Sequence, residues 1–254
     1  MFKRLSIKLA TVLISGSLLL STAVMAENTN IAAAASLRFA LSDIVALFTK
    51  QHPEYSLQVT YGASGKLSHQ IINGAPFDLF LSADMQRPLQ LEAAKVTASP
   101  IQAYALGRIV IWQADETAPA LTLADLIRPE IHKLAIAQPA HAPYGKMAQQ
   151  ALEAADIWQQ VQTKLVFGEN IAQTAQMTQS GAADAGIIAL SLAKNPNITR
   201  DNYSLIDASL HQPLLHGLVL TKSGANNHAA KSFANFMQSA AAEEILQQHG
   251  FERP

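Results

Sequence analysis

The chain has 254 residues, of which 49% are hydrophobic and 15% charged; it carries no cysteine and a formal net charge of −1. Without cysteine there is no disulfide framework, thiolate metal site, Cys nucleophile or lipidated cysteine. Without a basic stripe or Lys/Arg cluster there is no electrostatic footprint for nucleic acid.

The first residues read as an export signal. Lys3, Arg4 and Lys8 form a basic n-region, an apolar run extends from Leu9 to Leu20, and Val24-Met25-Ala26 offers the small-x-small pattern that a signal peptidase cuts after. The run is short for an uncleaved anchor, which needs about 20 apolar residues, and no later segment is long enough to span a bilayer. Cleavage after Ala26 is therefore expected to release a soluble, exported protein without stable membrane insertion. Loss of three basic residues takes its formal charge from −1 to −4.

Strands and helices then alternate, as in an α/β protein with parallel sheets. Ile31 to Ala35 is an apolar strand, followed by Leu37, Leu41, Ile44, Val45 and Phe48 at helical spacing. Leu57 to Tyr61 is a second strand and Leu67 to Ile72 part of a second helix. Asp78 to Leu81 reads as a buried strand, with a helix near Leu89 to Ala94. Tyr104 to Trp112 is a longer strand and a crossing point. Thr122 caps a short helix ending before Pro129, and Lys133 to Ala137 is a strand. Gly145 to Ala155 is a helix, Leu165 to Phe167 a strand, Ile171 to Gln179 a helix and Ala185 to Ala189 a strand. Leu214 to Thr221 is the return crossing, and helices Ala229 to Met237 and Ala240 to Gln248 end at Gly250. The expected architecture is two βα lobes joined by two crossings, residues 27–105 with 217–254 forming one lobe and 106–216 the other. A cleft between lobes is a usual place for a ligand.

Four strand-to-helix turns share one chemistry: Ala35-Ser36-Leu37, Gly62-Ala63-Ser64-Gly65, Ala142-Pro143-Tyr144-Gly145 and Glu169-Asn170-Ile171. A helix start leaves backbone N–H groups unpaired and carries the positive end of the dipole. Several converging on one cavity make an anion site without Lys or Arg. The plainer reading is that Ser and Asn here are N-caps, each contributing about 1 kcal/mol. Parallel α/β sheets nevertheless align the C-terminal ends of their strands along one crevice.

Sharper motifs fail. Gly62 to Lys66 resembles a nucleophile elbow, but Lys66 stands where that motif needs Gly. Gly65-Lys66 resembles the end of a phosphate loop, but Leu67 replaces the Ser/Thr and Thr60 the leading Gly. Lys66 reads as a solvated helix residue and His141 as a loop residue. Asp78, Asp84 and Asp184 read as caps or turn formers, and no histidines show metal-ligand spacing.

At these turns the sequence resembles the periplasmic molybdate-binding proteins of ABC transporters. The likeness runs through Ala34-Ala35-Ser36-Leu37, Gly62-Ala63-Ser64-Gly65, the long run from Asn73 to Asp84, Pro139 to Gly145, and Ser180 to Gly186. It implies a type II periplasmic-binding-protein fold and a non-enzymatic, periplasmic protein that needs no cofactor; a monomer is the default expectation. Such a protein hands molybdate or tungstate to a membrane permease. Carried over residue by residue, Ser36 and Ser64 would donate hydroxyl and backbone hydrogen bonds, while Tyr144 and Ile171 would donate backbone N–H; molybdenum would be held only as the oxyanion. One departure is that Ala189 stands where some members have a ligand-contacting Tyr, and Tyr144 is expected to supply a hydroxyl as well as an amide. The alternatives are the same fold serving sulfate or thiosulfate, and more remotely a secreted serine hydrolase using Ser64.

Overall fold

The computed structural model describes residues 27–113, 115, 117–195 and 202–254; the expected signal peptide and its cleavage site lie outside them. In chain order the elements are β1 Glu27–Ala34, α1 Arg38–Gln51, β2 Tyr55–Gly62, α2 Ser64–Ile72, β3 Leu79–Ser82, α3 Gln86–Ala93, β4 Gln102–Gly107 and β5 Ile109–Trp112. They continue with β6 Leu134–Ala137, α4 Pro143–Ala154, α5 Trp158–Val161, β7 Leu165–Gly168, α6 Ile171–Gln179, β8 Ala185–Ala189 and α7 Leu190–Ala193. The last are β9 Tyr203–Leu205, β10 Leu214–Leu220, α8 His228–Phe236 and α9 Ala240–Gln248.

The strands form two five-stranded sheets, ordered β2-β1-β3-β10-β4 and β7-β6-β8-β5-β9. β1 pairs in parallel with β2 and β3, and β6 with β7 and β8. The sheets are mixed rather than wholly parallel, because β10 runs antiparallel to β3 and β4, and β5 antiparallel to β8 and β9. Those strands carry the chain between the sheets, giving the two-lobe α/β fold. The expected single strand from Tyr104 to Trp112 is two strands in different sheets, broken at Arg108, whose carbonyl accepts the Leu190 N–H.

Central strands are largely apolar because helices cover both faces. β3, β6 and β8 are buried at every position. α1 turns Ala40, Leu41, Ile44 and Phe48 inward. Phe48 meets Phe233 and Phe236 of α8 edge-to-face at 5.0 and 5.4 Å between centroids, pinning the C-terminal helices to the first lobe. Burying one such ring stabilises by about 1.5–3 kcal/mol. The expected stop after α9 holds: Gly250 adopts φ +81°, a left-handed conformation that favours glycine. The short elements α5, α7 and β9 were not anticipated, since three or four residues carry no readable period.

Candidate functional site

The four turns singled out by chemistry meet in space. Each follows the C-terminal end of a parallel strand: β1 before Ser36, β2 before Ser64, β6 before Tyr144 and β7 before Ile171. Ser36, Ser64, Tyr144 and Ile171 line one small cavity, completed by Ala34, Ala35, Gly62, Ala63, Ala83, Ala142 and Pro143. Its lining has no charged side chain among the described residues. Ser36 and Ser64 are each 1% exposed, Tyr144 2% and Ile171 4%, so whatever fills the cavity is shut off from water. A wider hollow is lined by Arg38, Trp112 and Gln176 and by none of these four residues.

Local geometry decides which hydrogens are free. The Ser64 Oγ accepts the Ala83 N–H at 3.0 Å, leaving its own hydrogen to donate. The Ser36 Oγ is buried with no hydrogen-bond partner among the described residues. Leaving such a group unsatisfied costs about 1–3 kcal/mol, so an orphan hydroxyl on a residue that lines a cavity points to a missing acceptor. Asn170 acts as a cap in the plainer sense, its side chain accepting from Ala172 and Gln173 N–H at 3.0 Å each. Its carbonyl takes the Thr174 N–H, so the Ile171 N–H is left over in that first turn. Pro143 occupies the first turn of α4, where its missing N–H is no loss. Gly145 is required there: a Cβ would stand 2.0 Å from the Ala137 carbonyl oxygen.

Ser36 does not open α1 directly. It lies in a 3₁₀ turn, Ala35–Leu37, that precedes the α-helix. Its carbonyl accepts a 2.8 Å hydrogen bond from the Ser191 hydroxyl of α7. Two further contacts span the cleft: Gly65 N–H to the His141 carbonyl at 2.9 Å, and Lys66 Nζ to Glu169 Oε1 at 3.3 Å. The lobes are therefore in contact. Lys66, expected to be simply solvated, is half-exposed but paired across the cleft. Asp84 accepts the Arg87 N–H three residues on, as a turn former does. Asp78 and Asp184, expected in the same role, instead tie distant segments together by accepting the N–H groups of Asn30 and of His132 and Lys133.

The Tyr144 hydroxyl begins a buried line of polar groups, running from the cavity's edge, that sequence reasoning missed. It lies 3.3 Å from His216 Nε2, and the Tyr104 hydroxyl lies 3.2 Å from His216 Nδ1 and 3.0 Å from the Ser82 carbonyl. Burial pushes the His216 pKa down to about 3 and raises both tyrosine pKa values, so all three groups are neutral. The Ser36 hydroxyl is close enough to restrain the Tyr144 shift, though it lacks hydrogen-bond geometry. The available signal was a lone histidine inside the apolar run Leu214-Leu215-His216-Gly217-Leu218-Val219-Leu220. Ala189 is buried at the end of β8 and is not among the cavity's lining residues.

Residues 29–252 match the family model of the bacterial extracellular solute-binding proteins. The chain belongs to that family. This solute-binding protein is 31% identical to the molybdate-binding protein of Rhodobacter capsulatus, an alignment covering 87% of this chain and 86% of the relative. It is also 31% identical to the molybdate-binding protein of Azotobacter vinelandii, covering 93% and 94% of the two chains. The solved structure of the Azotobacter vinelandii periplasmic molybdate-binding protein superposes with a TM-score of 0.82 at 27% identity, over 89% of this chain and 99% of that one. The resemblance seen at the turns thus extends to the whole fold. Among the described residues, no helix is long and apolar enough to cross a membrane.

Proposed function

We propose that this solute-binding protein captures molybdate, and with it tungstate, in the cavity between its lobes and delivers it to an ABC permease. The observation that carries the reading is the unpartnered Ser36 hydroxyl, buried in a cavity that Ser64, with its hydroxyl hydrogen still to donate, also lines. Ser36 and Ser64 would donate through hydroxyl and backbone; Tyr144 and Ile171 would donate backbone N–H. A fully ionised oxyanion offers only acceptors, and helix starts supply donors and positive dipole ends without a fixed cation. The relatives of 31% identity, both molybdate-binding proteins, support this choice over sulfate or thiosulfate. Discrimination against the smaller sulfate would rest on cavity size.

Capture proceeds by closure. An anion bridging both lobes favours the closed state through contacts that the open state lacks. The lobe division is proposed to follow residues 27–105 with 217–254 against 106–216; the change of sheet at Arg108, and again between β9 and β10, supports crossings within a few residues of those boundaries. Export to the periplasm, cleavage after Ala26 and a monomeric state complete the reading. Ser64 is not taken as a nucleophile: its hydroxyl is engaged by the Ala83 N–H, and among the described residues no imidazole or carboxylate pairs with it.

Thermal unfolding of the dialysed mature protein with molybdate, tungstate, sulfate and phosphate tests the reading. A ligand at about 1,000 times its dissociation constant adds roughly 4 kcal/mol, a rise of about 8 to 16 °C at this chain length. The rise is expected with molybdate and tungstate. A rise with sulfate alone would move the substrate, and covalent labelling of Ser64 by a fluorophosphonate would restore the hydrolase.

A further inference from the structure

His216 lies on β10, one of the strands that join the lobes in sequence, and it is 0% exposed. Its ring stands between a tyrosine of the neighbouring crossing strand β4 and the tyrosine at the start of α4, beside the anion cavity. Phe251 closes a further side, edge-to-face at 5.3 Å. Position 107 makes room for the arrangement: a Cβ there would stand 2.4 Å from the Tyr144 hydroxyl and 2.9 Å from His216 Nε2.

The hydrogens along this line obey a simple count. A neutral imidazole has one N–H and one bare nitrogen, and each phenol has one hydrogen. The Ser82 carbonyl can only accept. If Tyr104 donates to Ser82, Nδ1 must carry the ring hydrogen and donate to Tyr104. Nε2 is then bare and takes the Tyr144 hydrogen. In this polarity Tyr144 shows the cavity only lone pairs. In the reverse polarity Tyr104 donates to Nδ1, Nε2–H donates to Tyr144, and the Tyr144 hydrogen faces Ser36 and the cavity.

An anion distinguishes the two. Lone pairs of Tyr144 facing an anionic oxygen repel it in a site shut off from water, whereas a hydrogen there attracts it. We propose that His216 is a positioning residue for anion capture, holding the Nδ1–H tautomer when the cavity is empty and the Nε2–H tautomer when an anion fills it. The exchange balances: with the lobes apart, one proton leaves Nδ1 for water and one arrives from water at Nε2. Both phenols then rotate, and every group keeps its number of hydrogens. The inference rests on the oxyanion reading of the cavity and adds a donor that the backbone amides alone do not provide.

The test is the ring ¹⁵N spectrum of protein labelled at histidine nitrogen, with the His216 signals assigned by loss in His216→Gln and by their perturbation in Tyr104→Phe. The dialysed protein is expected to show Nδ1–H, and the protein saturated with molybdate Nε2–H. In Tyr144→Phe the ring should stay Nδ1–H with molybdate bound, and affinity should fall about tenfold. An unchanged tautomer in wild-type protein saturated with molybdate, or an imidazolium at neutral pH, would overturn the inference while leaving the anion site standing. Failure of wild-type protein to bind any of the four oxyanions would overturn the anion site and the ligand-driven exchange with it.

Discussion

The Ser191 hydroxyl donates a 2.8 Å hydrogen bond to the Ser36 carbonyl, joining α7 of one lobe to the turn in the other that carries the unpartnered Ser36 hydroxyl. The same residue thus meets the opposite lobe through its backbone and the cavity through its side chain. Ser191 is buried, so the bond lies away from water where the lobes meet.

Ser191→Ala should therefore weaken anion binding more than it weakens the fold. A buried hydrogen bond with one partner removed costs about 1–3 kcal/mol, which corresponds to a rise in dissociation constant of about 5- to 150-fold. Titration calorimetry reads the affinity, and urea unfolding of ligand-free protein reads the fold. Equal losses in both would place the bond in the architecture rather than in closure.

Gly65→Ala tests the contact from the other side of the cleft. A Cβ at this position would stand 2.7 Å from the His141 carbonyl oxygen and 2.9 Å from its Cα, tighter than real side chains allow. The clash is with backbone of the opposite lobe, so it opposes closure and not the folding of α2, where alanine is the better helix former. Affinity should fall by about 1–3 kcal/mol while ligand-free stability stays level or rises. Unchanged affinity would show that the ligand is held without this approach.

The two serines should respond in opposite ways when no ligand is present. Ser36→Ala removes a buried hydroxyl without a partner, so ligand-free stability should hold or improve by about 1 kcal/mol. Ser64→Ala strips the Ala83 N–H of its acceptor and should destabilise by about 1–3 kcal/mol. Both should lose about 1.5–3 kcal/mol of anion affinity, the value of a hydrogen bond to a charged group. A Ser36→Ala protein that binds molybdate as wild type does would remove that residue from the site.

Acid should weaken the fold through His216. Burial lowers its pKa from 6.5 to about 3, so between those values the unfolded chain binds a proton that the folded chain refuses. Stability then falls as pH falls from about 6.5 toward 3, by about 1.4 kcal/mol per unit and at most about 5 kcal/mol. The neutral partners Tyr104 and Tyr144 supply no charge to offset it. Urea unfolding from pH 7 to 4.5 should show a steeper decline in wild type than in His216→Gln. Parallel curves would mean that the ring accepts a proton in the folded state.

Much of the fold was legible because its periods are clean. α6 at Ile171–Gln179, β8 at Ala185–Ala189 and α9 at Ala240–Gln248 fall where their apolar spacing places them. The break at Arg108 was not legible, since a strand that changes sheet keeps its apolar character on both sides of the change. The cavity was legible for a different reason. Ser36, Ser64, Tyr144 and Ile171 each announce themselves as the start of a helix after a strand, and parallel strands bring such starts to one edge. His216 lies 112 residues from Tyr104 and 72 from Tyr144, so no local pattern could join them. Ser191, 155 residues from Ser36, was hidden in the same way, inside a four-residue helix too short to predict.

The most direct test of the central claim is a calorimetric titration of sodium molybdate into the dialysed mature protein, with Ser36→Ala titrated alongside. One molybdate per chain, displaced by tungstate and not by equal sulfate, with affinity lowered at least tenfold in Ser36→Ala, is the expected result. No heat and no competition with any of these anions would contradict it, and would leave the buried Ser36 hydroxyl without the partner that its position calls for.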